Sequence, residues 1–347
     1  MAGGTGGHIF PALAVADCLR AQGWRITWLG AANSMEADLV PKAGYPLETV
    51  RFGGLRGKGL LRKIMLPFNL LIALWQSAVM ILRHRPDVLL GMGGYITFPG
   101  GMMAALLRRP LLIHEQNSIA GLSNKSLSHL ATRTLTGFPE VLPNAEWCGN
   151  PVRASIAALP EPSVRYAARS GALNILVLGG SLGAQAINHC LPQALALMPL
   201  AARPQVLHQT GKQHFSATQK LYVDAQVSID VQPFLDDMAK HYAWADLVIC
   251  RAGALTIAEL AAAGVASILV PFPFAVDDHQ TANAKFLSEN QAAILLPQTT
   301  LKAQHLADLL QVLTREKTLV MAQAARKLSK PEAAQRVAQV CTELAEA

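Results

Sequence analysis

Two stretches of this chain follow one plan. P-D-V-L-L-G-M-G-G-Y (86–95) and A-D-L-V-I-C-R-A-G-A-L-T (245–256) each run from an aspartate through an apolar strand and a small-residue turn into a helix. Each half also opens on a glycine-rich turn, M-A-G-G-T-G-G-H-I-F at residue 1 and G-G-S-L-G-A at residues 179–184. Between these landmarks short apolar, β-rich runs alternate with helical runs. Strands are expected at 25–30, 87–91, 110–114, 173–178, 246–250 and 266–270. Alternation of this kind builds parallel βαβ units. Its recurrence in both halves predicts an α/β protein of two doubly wound domains with a cleft between them. A length of 347 residues fits, since single cores stop growing near ~250–300 residues. The link is expected near Gly149-Asn150-Pro151-Val152-Arg153.

The opening turn lacks something. Glycine-rich loops of this kind normally follow a strand and lead into a helix whose first N–H groups hold an anion. Here Gly3, Gly4, Gly6 and Gly7 come almost at once, and the helix is expected from Pro11 onward. The first strand of the N-terminal domain is missing from the sequence. We expect the chain to begin inside a longer natural reading frame, and the absent strand to be central in its sheet.

With 51% apolar and 15% charged residues, disorder is excluded. Five scattered cysteines without a C-x-x-C pair suggest neither a disulfide framework nor a zinc site, and fit a reducing compartment. No signal peptide is evident, because the N-terminus is rich in glycine instead of running from a basic to an apolar region. The net charge of +7 is uneven. Residues 1–150 hold 14 Lys/Arg against 8 Asp/Glu, and residues 151–347 hold 16 against 15. Nucleic acid or an anionic membrane would each suit the basic half. The run I-M-L-P-F-N-L-L-I-A-L-W-Q-S-A-V-M-I-L (64–82) carries no charge, but Pro67, Asn69, Gln76 and Ser77 argue against a spanning helix. Just upstream, 51–63 holds five basic residues and no acid. An apolar surface beside a basic loop is how a protein rests on an anionic leaflet without crossing it.

Several residues have the chemistry of a nucleotide-sugar site. Gly253-Ala254-Leu255-Thr256 would offer helix N–H groups and a hydroxyl to a phosphate. Glu259 is placed in the first turn, where it would favour the helix dipole or accept from a ribose diol. Two anion sites and a carboxylate describe a nucleoside diphosphate site, whereas the G-x-G-x-x-G fingerprint of a dinucleotide fold is absent. The cluster Asp277, His279, Gln280 and Asn283 follows a strand, where such sheets bind ligands, and its aspartates would equally serve as a helix cap. The acids of F-L-D-D-M (234–238) diverge, so no metal is expected there. In the first half H-E-Q-N-S (114–118) ends a strand, His8 follows the opening glycines as a possible proton acceptor, and G-M-G-G-Y-I-T-F-P-G-G (91–101) suggests a second phosphate-bearing ligand.

The motifs G-G-T-G-G-H-I-F-P-A-L-A, G-M-G-G-Y, H-E-Q-N, G-N-P-V-R, G-G-S-L-G-A and R-A-G-A-L-T-I-A-E stand in this order along nearly the whole chain. Together they resemble the MurG family, bacterial N-acetylglucosaminyltransferases of peptidoglycan synthesis. The resemblance implies a GT-B fold of two facing Rossmann-like domains: 1–150 for the acceptor and the membrane, 151–331 for the UDP-sugar, and a last helix, 332–347, able to pack back on the first domain. It implies transfer of N-acetylglucosamine from UDP-N-acetylglucosamine to the 4-hydroxyl of lipid I, giving lipid II with inversion, without metal or cofactor. The setting would be the cytoplasmic face of the inner membrane, bound peripherally to anionic lipid, with no role for nucleic acid. Carried over residue by residue, Ser181 would contact phosphate and Ala254, Leu255 and Thr256 the diphosphate, Glu259 would bind the ribose, and Leu235 with Arg153 the uracil; Ile257 and Ala258 are further substrate-binding residues. His279 and Gln280 would meet the sugar. Thr5, Gly6, Gly7 and Asn117 would reach donor or acceptor, and His8 is the candidate base. A UDP-N-acetylglucosamine 2-epimerase of the same fold is the alternative, and a nicotinamide dehydrogenase a more distant one.

Overall fold

The computed structural model describes residues 1–52, 65–180 and 183–347. Chain contacts divide it into two compact units, Met1–Arg153 with Lys330–Ala347, and Ala154–Ser329. Most of the basic stretch 51–63, and Ser181, lie outside the described residues.

The second unit is the simpler. Its strands are β7 (Asn174–Leu178), β8 (Gln205–Gln209), β9 (Asp230–Gln232), β10 (Leu247–Cys250), β11 (Ala266–Leu269) and β12 (Ala293–Leu295), preceded in the chain by the six of the first unit. They form one parallel sheet in the order β12-β11-β10-β7-β8-β9. β7, β10 and β11 are apolar apart from Asn174 and Ser267, because both faces of a parallel sheet are covered by helices. Ile175, Val177, Leu247, Ile249 and Ile268 are fully buried among Ile187, Leu191, Leu306 and their neighbours from those helices. The strand order reverses at β7, so the loops after β7 and β10 open at a switch point, the ligand position of such sheets.

The first unit holds β1 (Trp28–Gly30), β2 (Leu47–Thr49), β3 (Leu89–Gly91), β4 (Leu111–Glu115), β5 (Arg133–Thr136) and β6 (Glu146–Trp147). All pairings are parallel, but the strands make two separate sheets, β1-β2 and β3-β4-β5-β6. Between β1 and β3, Met1 and Ala2 make the backbone links among the described residues. The Met1 ammonium donates to the Leu90 carbonyl (2.8 Å), Met92 N–H to the Met1 carbonyl (2.8 Å), and the Trp28 indole to the Ala2 carbonyl (2.9 Å). Beyond them a cavity of about 610 Å³ runs along Trp28 and Leu29 on one side and Val88 to Leu90 on the other.

The C-terminal helix Ala333–Glu346 buries Val337, Ala338, Val340 and Cys341 in the same core as Ile9, Val15 and Leu19. Arg336 fixes it in place, donating to both carboxylate oxygens of Glu146 at 2.6 and 2.9 Å, which holds that carboxyl below the usual range. From Leu66 on, the apolar run lies in the helix Leu66–His84. Ala73, Ser77 and Ile81 are buried, while Phe68, Leu71, Ile72, Trp75, Val79 and Leu82 are exposed. At 3.6 residues per turn the exposed six share an arc of about 100°. No helix among the described residues is long and apolar enough to cross a membrane.

Candidate active site

In the first unit the opening helix begins at Gly6, not at Pro11 as expected, and runs to Ala21. Thr5 is extended (φ −140°, ψ 156°), and its carbonyl accepts the N–H groups of His8 (3.1 Å) and Ile9 (3.2 Å). Pro11 removes one helical bond, the one to the Gly7 carbonyl. The helix survives that loss because Ile9, Ala12, Val15, Ala16 and Leu19 bury one face. Gly6 and Gly7 therefore hold the first two helical positions, whose N–H groups have no acceptor within the helix. His8 stands third, in the first turn.

The glycine loop is held by a residue that sequence reasoning missed. Glu36 is fully buried; one carboxylate oxygen accepts from Gly4 N–H and the other from Ala31 N–H, each at 3.1 Å. It ties the loop to the end of β1. A side chain on Gly3 would lie 2.3 Å from that carboxylate. The second glycine loop packs against the first: a Cβ on Gly94 would stand 2.2 Å from the Gly3 carbonyl oxygen. This close approach accounts for glycines that the sequence reads as a second phosphate loop.

The end of β4 carries a buried polar chain. His8 Nδ1 lies 2.8 Å from Gln116 Oε1, Gln116 Nε2 lies 2.9 Å from His114 Nδ1, and His114 Nε2 lies 2.9 Å from the Gly149 carbonyl. Beside it, buried Glu115 accepts from Asn117 N–H (2.9 Å), Gly121 N–H (3.1 Å) and the Asn124 amide (2.9 Å), fixing the turn that presents Asn117. Arg153 has its guanidinium 5.5 Å from the Phe10 ring centre.

In the second unit the helix Ala254–Ala263 starts directly after β10, with Gly253 extended as its cap residue. Ile257 N–H already bonds the Gly253 carbonyl (3.0 Å), so Ala254, Leu255 and Thr256 supply the outward N–H groups, and Ala258 lies one residue further into the helix. Glu259 is not in the first turn, as expected, but sixth in the helix. There it is buried, accepts from the Tyr242 hydroxyl (3.1 Å), and is too deep to answer the helix dipole. Arg251, also missed, donates to the carbonyls of Val270 and Pro271 (3.1 Å each) and to Gln298 Oε1 (2.8 Å), bracing the loop after β11. Burial lowers its pKa.

That loop leads through Asp277 and Asp278, both left-handed (φ 52° and 50°), into the helix His279–Ser288. Asp278 holds the cap position but its side chain makes no bond to a helix N–H. Asp278 accepts from the Thr281 hydroxyl (2.7 Å) instead of a backbone N–H, because the left-handed turn carries its side chain off the helix end. Gln280 Oε1 accepts from Phe272 N–H (2.9 Å), and Asn283 donates to the Ala252 carbonyl (3.2 Å), so the loops after β10 and β11 are tied together. Leu235 is buried, and Asp237 caps the helix Met238–Trp244 by accepting from Lys240 N–H at 3.1 Å. That capping role gives one of the F-L-D-D-M acids, Asp237, a structural purpose.

Comparison with known proteins agrees with this layout. The model of the glycosyltransferase family 28 N-terminal domain matches residues 1–136, and that of its C-terminal domain matches residues 174–337. The UDP-N-acetylglucosamine–N-acetylmuramyl-(pentapeptide) pyrophosphoryl-undecaprenol N-acetylglucosamine transferase of Ralstonia nicotianae is 60% identical over 352 residues, covering 100% of this chain and 96% of that one. Its counterpart from Azoarcus sp. is 60% identical over 346 residues, covering 100% and 97%. The crystal structure of Acinetobacter baumannii MurG superposes with a TM-score of 0.87 at 43% identity, covering 99% and 98%. A putative UDP-N-acetylglucosamine 2-epimerase from Listeria monocytogenes shares the fold (TM-score 0.64) at 14% identity, covering 96% and 92%. A near-complete match to the first three, set beside fold likeness alone to the epimerase, decides the matter: the chain belongs to the MurG family within glycosyltransferase family 28.

Proposed function

We propose that this chain transfers N-acetylglucosamine from UDP-N-acetylglucosamine to the 4-hydroxyl of the N-acetylmuramyl unit of lipid I, producing lipid II and UDP with inversion at the anomeric carbon. The observation that carries this reading is end-to-end similarity to relatives named for that transfer, 60% identical across the whole chain.

The chemistry is one displacement. The acceptor hydroxyl attacks the anomeric carbon, the bond to the diphosphate breaks, and the hydroxyl proton passes to a base. Negative charge then grows on the departing UDP. The N–H groups of Ala254, Leu255 and Thr256, with Ile257 and Ala258 continuing the helix behind them, meet that charge at a helix N-terminus, and Ser181 is assigned to the same phosphate. Donors fixed in advance need no reorganisation as the charge develops. Glu259, oriented by the Tyr242 hydroxyl, takes the ribose diol. Leu235 and Arg153 take the uracil, and His279 and Gln280 the sugar. Thr5, Gly6, Gly7 and Asn117 contact donor or acceptor. His8 accepts the proton.

The exposed stripe Phe68, Leu71, Ile72, Trp75, Val79 and Leu82 supports a peripheral seat on anionic lipid at the cytoplasmic face of the inner membrane. Exposed Arg83 and Arg85 lie at the C-terminal end of that helix, and exposed Arg51 is tied to its middle, its N–H donating to Gln76 Oε1 at 2.8 Å. The deciding assay follows UDP release from UDP-N-acetylglucosamine with and without a lipid I analogue. Release that requires the analogue and yields the β-linked disaccharide is expected. His8→Ala should lower kcat by about 10²–10⁴-fold, the usual worth of a general base. Acceptor-independent UDP release would overturn the transfer reading, and turnover within a few-fold of normal in His8→Ala would remove the base assignment.

A further inference from the structure

We infer that Gln116 is a positioning residue: backed by His114, it locks the His8 imidazole as the Nδ1–H tautomer and leaves the lone pair on Nε2. This rests on reading His8 as the base.

The assignment follows from which atoms can only accept. A carbonyl has no proton to give, so His114 Nε2, 2.9 Å from the Gly149 carbonyl, carries the hydrogen. His114 is fully buried, and that burial drives its pKa down to about 4, so the ring is neutral and Nδ1 holds a lone pair. Gln116 turns one end of its amide to two acceptors at once, His114 Nδ1 at 2.9 Å and the His114 carbonyl at 3.0 Å. That end must be the NH₂ group. The other end is then the oxygen, and it faces His8 Nδ1 at 2.8 Å. An amide oxygen only accepts, so His8 Nδ1 must be the protonated nitrogen. In neutral His8 the free lone pair is left on Nε2, the one ring atom able to take a proton from a hydroxyl.

The relay is built so that it cannot turn over. The Gln116 carbonyl accepts from Asn150 (2.9 Å) and the His114 carbonyl from Asn124 (3.1 Å), so the strand end is pinned on both residues. Gln116 is 1% exposed, which keeps water from competing for its oxygen. Gly93 guards the contact: a Cβ there would lie 2.7 Å from His8 Nδ1 and 3.1 Å from Gln116 Oε1. A glycine at φ +87° is what lets the two side chains meet.

The test uses the full chain labelled with ¹⁵N-histidine, with the His8 ring assigned through His8→Ala. Nitrogen shifts above the ring's titration report which nitrogen bears the proton. The wild-type protein should show His8 as Nδ1–H; an Nε2–H pattern overturns the inference whatever any variant does. Gln116→Leu removes the acceptor, and His8 should move toward the Nε2–H form that free imidazole favours. Its kcat should fall about 10- to 100-fold, part of what a general base contributes, with KM for both substrates within about twofold. Gln116→Glu, whose carboxyl still accepts from Nδ1–H, should keep the Nδ1–H tautomer. Unchanged tautomer and kcat in folded Gln116→Leu would refute the positioning role. If instead His8→Ala is fully active while the wild-type ring is Nδ1–H, the base assignment has failed and the relay stands as geometry alone.

Discussion

Gly94 and Gly23 form a matched pair that isolates one contact. Both belong to the first unit, and their φ values are nearly equal, +85° and +88°. A Cβ on either pays the same left-handed strain, roughly 1–2 kcal/mol. They differ in what the Cβ meets. Around Gly23 nothing lies within 4 Å. Around Gly94 the Gly3 backbone is the obstacle, with its oxygen at 2.2 Å, its carbonyl carbon at 3.0 Å and its nitrogen at 3.3 Å. All three are main-chain atoms, so no rotamer change relieves the clash, and the two glycine loops must separate by about 1 Å. Overpacking of this kind costs typically ~1–3 kcal/mol. Gly94→Ala should therefore lose about 2–5 kcal/mol and Gly23→Ala about 1–2. Urea titration of the two variants, followed by tryptophan fluorescence, measures the gap. With a urea slope of about 2 kcal/mol/M, the midpoints should differ by roughly 0.5–1.5 M. The loop that moves carries Thr5 to His8, and a displacement near 1 Å from productive geometry costs about 10²-fold in rate. Gly94→Ala should show that loss in kcat and Gly23→Ala should not. Equal midpoints for the two variants would show that the loops are not packed backbone to backbone, and the reasoning would fall.

Two further outcomes follow from groups far from the glycine loops. Burial holds the Met1 ammonium down at about 5 from 8.0, so between those values the unfolded chain keeps a proton that the folded chain has lost. Stability should then rise from pH 5 to pH 8, by about 4 kcal/mol at ~1.36 kcal/mol per unit; acetylating the terminus, or extending it by a few apolar residues, should abolish that rise, and an identical pH slope in both forms would contradict it. Trp75 is 68% exposed on the apolar stripe, and burying a large apolar side chain is worth ~1.5–3 kcal/mol, so Trp75→Ala should weaken binding to anionic vesicles at least about tenfold in co-sedimentation, whereas unchanged binding would take the stripe out of the membrane contact.

How much of this was legible in the sequence depended on range. Six of the twelve described strands were, because burial on both faces forces apolar runs such as 175–178 and 247–250; β2, β5, β6, β8, β9 and β12 were not. The glycine turns were, because their composition restricts the backbone locally. Glu36, Gln116 and Arg251 were not. Glu36 reaches Gly4 across 32 residues, Gln116 reaches His8 across 108, and Arg251 reaches Gln298 across 47. Nothing near them in sequence distinguishes a buried loop-holder from a surface charge. Glu259 was misplaced for a related reason: the start of a helix is set by the backbone at Gly253, and an error there shifts every later residue around the axis.

The two units also show how one motif can acquire two fates. In the second, Asp246 precedes β10, is fully buried, and accepts from Asn174 N–H at 2.8 Å, the first residue of the neighbouring β7. Arg169 and Arg315 neutralise it. Asp87 precedes β3 in the corresponding place, yet it is exposed and lines the 610 Å³ cavity. Strand order supplies the reason. Setting β1-β2 against β8-β9, and β3-β4-β5 against β10-β11-β12, leaves two strands without a counterpart: β6, at the edge of the first unit, and β7, in the middle of the second. β7 is the strand that leads into G-G-S-L-G-A, and the matching place in the first unit is the one just ahead of M-A-G-G-T-G-G, where among the described residues only Met1 and Ala2 lie between β1 and β3. Asp87 lacks the neighbouring N–H that draws Asp246 inward, and an unpaired carboxylate stays in water because desolvating it without a partner costs more than burial returns.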